Sequence, residues 1–225
     1  MTGVRHMAIL CILILCGCDG RLPEAESVEG GGGRSALEIR EVSRSIQTLD
    51  ECLMSSGIAA SRRGEDVARH VAALPDDVRG CAASLFIGRL EAIGGSLADF
   101  GIRPRPLRNF QGLLKSADLC VSSPEDVERV MGLCLLCLGR YREALAACQT
   151  RKDAEGRALR REFETDRRLF VETVRKVYLP LVSARRLPPE RHAYWTKIIA
   201  REIDEGLDVS ETSLDGIRRK AEVMQ

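Results

Sequence analysis

The spacing of apolar residues predicts a domain built from helices. After residue 35, apolar side chains recur three and four positions apart, which is the period of an amphipathic α-helix. The clearest stripe comprises Ile39, Val42, Ile46, Leu49 and Leu53. Ser35 and Glu38 precede it as a capping box, and Gly57 can end the helix. No stretch alternates apolar and polar residues between hairpin turns, so we expect an all-α domain of about seven to nine helices.

Two more helices are expected before residue 100. A short one is indicated by Val67, Val71 and Leu74. The other begins at Pro75 and is predicted to stop at Gly94–Gly95. Its inward-facing residues are predicted to be Val78, Cys81, Leu85, Phe86 and Ile93.

Prolines indicate where helices break in the rest of the domain. A proline disfavours the α conformation in the residue before it, so segment 101–106 is predicted to be a loop or hinge, where the domain could divide. A helix restarts with Leu107, Phe110, Leu113 and Leu114. Ser123, as N-cap, and Pro124 then begin a helix that runs to about Leu138.

A long charged helix is expected near residues 157–186, with a kink at Pro180 and an end at Pro188–Pro189. Its inward residues are predicted to be Leu159, Phe163, Phe170, Val174 and Val177. A further helix runs up to Gly206, and a short one follows Ser210. The former carries Ala193, Tyr194, Trp195, Ile198, Ile199 and Ile203.

The first 17 residues have the order of a secretory signal. Arg5 and His6 precede an apolar run from Met7 to Leu15, and no acidic residue occurs before Asp19. The run is much shorter than the roughly 20 residues that span a bilayer. We therefore expect residues 1–17 to direct export and to be removed.

The end of this run, Leu15-Cys16-Gly17-Cys18, resembles the lipobox of bacterial lipoproteins. The resemblance implies cleavage before Cys18 and attachment of diacylglycerol to its thiol, often with an N-acyl chain such as palmitate. Two or three acyl chains anchor a protein durably, because each buried CH₂ contributes about 0.8 kcal/mol. An ordinary cleaved signal and a buried apolar N-terminal helix remain as alternatives.

Residues 18–34 are expected to form a lipidated flexible linker between the membrane and the folded domain of residues 35–225. The linker is polar and contains four consecutive glycines, so it cannot bury enough apolar surface to become ordered. We expect the protein to reside at the bacterial cell envelope. In enterobacteria, an Asp directly after the lipidated cysteine, as Asp19 follows Cys18 here, favours the inner over the outer membrane.

Charge excludes one class of partner. The chain has 34 basic and 33 acidic residues, and Arg5 belongs to the signal, so the exported chain is formally neutral. A nucleic-acid-binding protein normally carries a clear basic excess. We therefore expect no nucleic-acid partner, and expect the membrane and an unidentified protein as partners.

One stretch resembles a tetratricopeptide repeat. Gly132, Gly139, Tyr141 and Ala144 fall where that family has small residues and the turn between two helices. The resemblance implies a helical hairpin at residues 125–152. No comparable pattern lies 34 residues away on either side, so a single hairpin inside an irregular helical domain stays open as the alternative.

The cysteines of the domain allow two interpretations. Cys134 and Cys137 form a C-x-x-C motif, but they lie inside a predicted apolar helix, where burial makes thiols inert rather than redox-active. An even number of cysteines in an exported protein also permits disulfides. The six candidates for disulfides or core thiols are Cys52, Cys81, Cys120, Cys134, Cys137 and Cys148.

Catalytic and metal-binding motifs are missing from the sequence. Outside the signal, the histidines are His70 and His192, and no pattern typical of a hydrolase, a phosphate loop, a cofactor site or a zinc site occurs. We expect an envelope interaction or assembly module, with an enzyme using thiols or carboxylates, or a structural spacer, as alternatives. A groove lined by exposed apolar and basic side chains along the 124–186 helices favours binding, whereas a deep pocket gathering His70, His192 or paired carboxylates favours catalysis.

Overall fold

A computed structural model describes residues 32–204 except 56, 122 and 185–186, with side chains in 35–49, 60–121, 123–182 and 187–204. Within these ranges the chain is helical and has no strand, which confirms the predicted all-α class. The helices are α1 (Gly32–Ser55), α2 (Gly57–Ala73), α3 (Asp76–Ser96), α4 (Pro104–Lys115), α5 (Pro124–Gln149), α6 (Ala154–Thr173), α7 (Leu179–Ala184) and α8 (Pro189–Asp204). The predicted signal, Cys18, and the short helix after Ser210 lie outside the described residues.

Internal contacts divide the chain into two units, Met1–Glu38 and Ile39–Gln225. In the first unit α1 begins at Gly32, so the prediction of a helix start capped by Ser35 is wrong. Helical hydrogen bonding extends ahead of Ser35, and each glycine in a helix costs only about 1 kcal/mol. The second unit contains residues 101–106 and all the helices after α1.

The stripe predicted on α1 faces the core of the second unit. Val42, Ile46 and Leu49 are buried, whereas the side chain of Leu53 lies outside the described residues. Gly57 does not end a helix as predicted, because it is the first residue of α2. The short helix predicted around Val67 and Val71 is therefore the second half of a longer one.

Helix α5 lies at the centre of the core and contacts α3, α4, α6, α7 and α8. Every residue from Met131 to Gly139 is buried, as expected for a helix that is apolar on all sides. Its start matches the prediction, since Ser123 Oγ accepts a hydrogen bond of 3.1 Å from the amide of Asp126.

The tetratricopeptide-like hairpin expected at 125–152 is contradicted. Helix α5 continues without a turn through Gly139 and Tyr141 to Gln149. Tyr141 is buried in the core, where its hydroxyl donates to Gln111 Oε1 at 2.8 Å and its ring forms a T-shaped contact with the ring of Phe163. Burial of Gly139 and Tyr141 against neighbouring helices outweighs the local preference of these two residues for a turn.

Helix α3 passes through the two glycines that were predicted to stop it. A Cβ on Gly94 would lie 3.0 Å from Leu136 Cδ2 and 3.2 Å from Phe110 Cζ, so this glycine allows α3 to approach α5 and α4. A 3₁₀ turn, Leu97–Phe100, follows, and it ends at Gly101, whose φ of 64° favours glycine. The predicted inward position of Cys81 is also wrong, because Cys81 is exposed.

The same helix and its 3₁₀ extension, Asp76–Phe100, are long and apolar enough to cross a membrane by length and composition alone. The mean hydropathy of the segment is 1.2, and 44% of the window is buried inside the domain. Core helices of folded domains share this composition, so packing against α5 already accounts for it.

Prolines begin helices α4, α5 and α8, and another proline follows an irregular turn after α6. Helix α4 starts at Pro104, so the prediction that all of 101–106 is a loop is wrong beyond Arg103. Prolines are tolerated there because the first amides of a helix have no intrahelical acceptor. Ahead of Pro180, α6 gives way to a π-helical turn at Val174–Tyr178, which divides the predicted long helix near the expected kink.

Candidate functional site

A cavity of about 150 Å³ opens where the segment from Leu97 to Arg103 meets α4, α5 and α6. Its floor is apolar, because the buried side chains of Leu97, Leu107 and Phe163 line it together with Ala144. Pro106 and Ile102 line it as well, and Ile102 is 49% exposed. The cavity therefore joins the hydrophobic core to the surface.

The backbone around Gly101 places Ile102 and Arg103 beside this cavity. The positive φ of Gly101 reverses the chain after the 3₁₀ turn, and the amide of Arg103 donates to the carbonyl of Gly101 at 3.0 Å. Arg103 itself is extended, as expected for a residue that precedes a proline. Two local rules, one for glycine and one for proline, thus shape this part of the wall.

Three charged side chains line the cavity, and only two of them pair with each other. Arg140 Nη1 donates to Glu143 Oε2 at 2.7 Å, while Arg140 Nε is buried with no acceptor among the described residues. Arg103 is exposed and forms no ion pair within the described part of the chain. The wall therefore carries one positive charge in excess.

The cavity brings together neither of the two described histidines nor a pair of carboxylates. His70 in α2 and His192 in α8 are half-buried and do not line it. Its one carboxylate, Glu143, is held in the ion pair with Arg140. Such a lining can hold an apolar group and a polar or anionic group beside it, but it offers no nucleophile next to a base.

The C-x-x-C motif lies in the interior of α5, away from this cavity. Cys134 and Cys137 are fully buried, and burial raises the pKa of both thiols well above the usual range. A redox or metal-binding cysteine acts as a thiolate, which this environment disfavours.

The other candidate cysteines are dispersed over the fold. Cys120 is buried, and burial raises its pKa to about 12. Cys148 is buried at the end of α5, whereas Cys81 is exposed on α3. Cys120 and Cys148, like Cys134 and Cys137, are free thiols in the structure, and the side chain of Cys52 lies outside the described residues. No three metal-ligating side chains among the described residues lie close enough to hold an ion.

A second cluster of charges fastens α8 to the core. Glu202 is fully buried, and its Oε2 accepts a hydrogen bond of 2.9 Å from Arg142 Nη1 of α5. Arg167 of α6 donates to the carbonyl oxygens of Glu202 and Ile203 at 3.3 and 3.0 Å. Burial raises the pKa of Glu202 to about 7, although Arg142 and Arg167 act in the opposite direction. The chemistry of this cluster is structural, because it joins three helices.

The cavity residues were not among the candidates identified from the sequence. Gly101 and the two prolines indicate an irregular segment, and Ile102 stands out as an apolar residue within it. Nothing in the sequence indicates that Arg140 and Phe163, from two later helices, lie beside that segment. Comparison with protein-family models, with curated proteins and with solved structures finds no match.

Proposed function

We propose that the protein is a bacterial lipoprotein whose helical domain binds a protein partner at the cell envelope. The apolar run Met7–Leu15 and the lipobox-like sequence ending at Cys18 support export and lipidation. The acyl chains on Cys18 would tether the domain to a membrane, and Asp19 favours the inner one.

One observation carries the binding role, and it is the cavity beside Ile102. Its lining combines apolar side chains with two arginines, Arg103 in the segment before α4 and Arg140 of α5. It gathers neither His70 nor His192 nor a pair of carboxylates, as an enzyme of the class considered above would require. This combination supports an interaction module over an enzyme.

The geometry suits a protein partner that inserts one side chain. Binding energy in protein interfaces is concentrated in a few apolar anchors that fill pockets and are shielded from water by their surroundings. The cavity supplies such a pocket, and the exposed Ile102 extends its apolar surface outwards. The arginines at its wall would then select the polar groups beside the anchor.

Anchoring is tested by replacing Cys18 with Ala in the full chain. We expect the Cys18→Ala variant to incorporate no labelled acyl chains. We also expect it to be lost from the membrane pellet when cells are fractionated. Cys16→Ala is the matched control, since a small residue is usual at that place in a lipobox, and it should be lipidated normally. Retention of acyl label by the Cys18→Ala variant would contradict the anchor.

The binding role is tested by placing a photo-crosslinking residue at Ile102 in the native envelope. We expect a defined adduct with another protein, and we expect Ala144→Leu, which fills the cavity, to reduce its yield at least about fivefold. Ala146→Leu is the control, because Ala146 lies on the same helix, is exposed and does not line the cavity. An adduct that both variants leave equally strong would show that the cavity does not bind the partner.

A further inference from the structure

The chain leaves the last described helix at nearly the same level of α5 as the cavity. Helix α8 ends at Asp204, and residues 205–225 follow it outside the described part of the chain. Close to this end, Glu202 Oε2 accepts a hydrogen bond of 2.9 Å from Arg142 of α5. Glu143, the next residue of α5, lines the cavity. The 205–225 segment therefore begins within about one turn of the cavity along α5.

Helix α6 places the end of α8 at the same level. Arg167 donates to the carbonyl oxygens of Glu202 and Ile203, and it lies one turn after Phe163. Phe163 lines the cavity. Two helices thus connect the point where the 205–225 segment begins to the lining of the cavity.

The segment is long enough to reach the cavity mouth. An extended chain covers about 3.3 Å per residue, so residues 205–210 alone span about 20 Å. A helix with its side chains is about 10–12 Å wide. The residues ahead of the helix that is predicted after Ser210 can therefore carry the chain around α5 from the end of α8 to the cavity.

The sequence of this segment provides an apolar stripe that suits the cavity. Leu214, Ile217, Ala221 and Met224 recur three, four and three positions apart, which places them on one face of a helix. The cavity has a volume of about 150 Å³. A dry apolar cavity of about this volume in another protein holds a benzene molecule, so this one accommodates a single branched aliphatic side chain from such a stripe.

Charge favours the same occupant. The first half of the segment, residues 205–215, contains no basic residue and four acidic ones, Glu205, Asp208, Glu211 and Asp215. At the cavity, Arg103 is exposed and forms no ion pair within the described part of the chain. The stretch that leads from α8 to the cavity therefore carries the charge opposite to that of the cavity wall.

We propose that residues 205–225 dock on the cavity of their own chain through the stripe of Leu214 and Ile217, and that a protein partner has to displace them. The proposal rests on the function proposed above and names the regulation of the same site. A segment attached by a short linker acts at an effective concentration of about 1 mM, so even weak docking occupies the cavity. The segment is then an autoinhibitor of partner binding.

The test uses the full mature lipoprotein in nanodiscs of zwitterionic lipid, with a photo-crosslinking residue at position 102. An equal mixture of ¹⁵N-labelled and unlabelled protein is irradiated, and mass spectrometry identifies the linked peptides. We expect the main adduct to join position 102 to a peptide from residues 205–225, with both halves carrying the same isotope because they belong to one chain. The crosslinking residue at Ala98, which is exposed and lines the cavity, should give the same adduct.

Matched substitutions connect this internal adduct to the stripe. Ile217→Ser removes a branched side chain from the stripe and should lower the yield at least about fivefold, since burial of such a side chain contributes more than about 1 kcal/mol. Val223→Ser is the control, because Val223 lies away from the stripe on the predicted helix, and it should leave the yield unchanged. Ala144→Leu fills the cavity and should lower the yield as Ile217→Ser does.

Three results would overturn the proposal. The first is the lack of any adduct with residues 205–225. The second is an adduct that only joins halves with different isotopes, which would show that a second copy occupies the cavity. The third is an internal adduct that Ile217→Ser leaves as strong as Val223→Ser does.

The outcome is separable from that of the crosslinking experiment in the native envelope. There, Ile217→Ser should raise the yield of the adduct between position 102 and another protein at least about twofold, because the segment no longer competes. A partner adduct without an internal adduct would keep the binding role and refute docking of the segment. An internal adduct without any partner adduct would keep the docking and refute the protein partner.

Discussion

Replacing Arg142 with Met is expected to lower the free energy of unfolding by about 3 kcal/mol at pH 8. Glu202 is 0% exposed, and Arg142 Nη1 lies 2.9 Å from its Oε2. The substitution leaves a buried carboxylate without the side chain that neutralises it most closely. Methionine keeps most of the aliphatic volume of arginine, so the loss is electrostatic rather than a loss of packing.

The effect of Arg142→Met should depend on pH in a defined direction. Burial raises the pKa of Glu202 from 4.5 to about 7, so between these values the folded protein binds a proton that the unfolded chain does not. Stability contributed by this group is therefore complete below about pH 4.5 and decreases as the pH rises towards 7. Removing Arg142 raises the pKa further, so the decrease becomes larger and extends to higher pH.

Urea unfolding followed by circular dichroism at pH 4.5 and pH 8 measures both effects. We expect the variant to approach the parent protein at pH 4.5 and to be clearly weaker at pH 8. Adding Glu202→Gln to Arg142→Met should recover much of the loss, since the buried charge is gone.

Arg160→Met provides the matched control for this experiment. Arg160 pairs with Glu164, but about half of each side chain is exposed, so its loss should change stability by less than about 0.5 kcal/mol. A loss at pH 8 that Glu202→Gln does not reverse would refute the electrostatic explanation.

The features that could be predicted from the sequence are the local ones. The N-cap Ser123 and the inward stripe of Val42, Ile46 and Leu49 depend on residues within a few positions of one another. Each of these is present in the structure. The all-α class follows for the same reason, because helical periodicity is a property of each segment alone.

The features that could not be predicted depend on residues far apart in the chain. Arg142 and Glu202 are separated by 60 positions, and each is one charged residue among many. The candidate site likewise combines Ile102 and Arg103 with Phe163, which lies on α6. Periodicity identified the helices that carry these residues, but it does not determine which faces meet.

The turn expected at Gly139–Tyr141 failed for a related reason. A glycine followed by a polar residue and a tyrosine is compatible with a turn and with a buried helix. The choice depends on what surrounds the segment, and here both Gly139 and Tyr141 are buried within α5. Neighbouring helices therefore decided a question that the local sequence leaves open.

The adjacent glycines of α3, Gly94 and Gly95, provide the sharpest test of whether neighbouring helices or the local sequence determine the role of a residue. Gly94→Leu is expected to lower the free energy of unfolding by about 3 kcal/mol, near the upper end for an overpacked core. A Cβ at this position would already lie 3.0 Å from Leu136 Cδ2 and 3.2 Å from Leu133 Cδ2 and Phe110 Cζ. The remaining carbon atoms of leucine then have to displace α3 from α5, and we expect the Tm to fall by roughly 10 °C.

Gly95→Leu is the matched control, because it is the same substitution one position along the same helix. A Cβ on Gly95 meets no described atom within 4 Å, and Gly95 is exposed. Leucine favours the helix over glycine, so this variant should be as stable as the parent protein or more stable by up to about 1 kcal/mol. The sequence treats the two glycines alike, so equal losses of stability in both variants would refute close packing of α3 against α5 at Gly94.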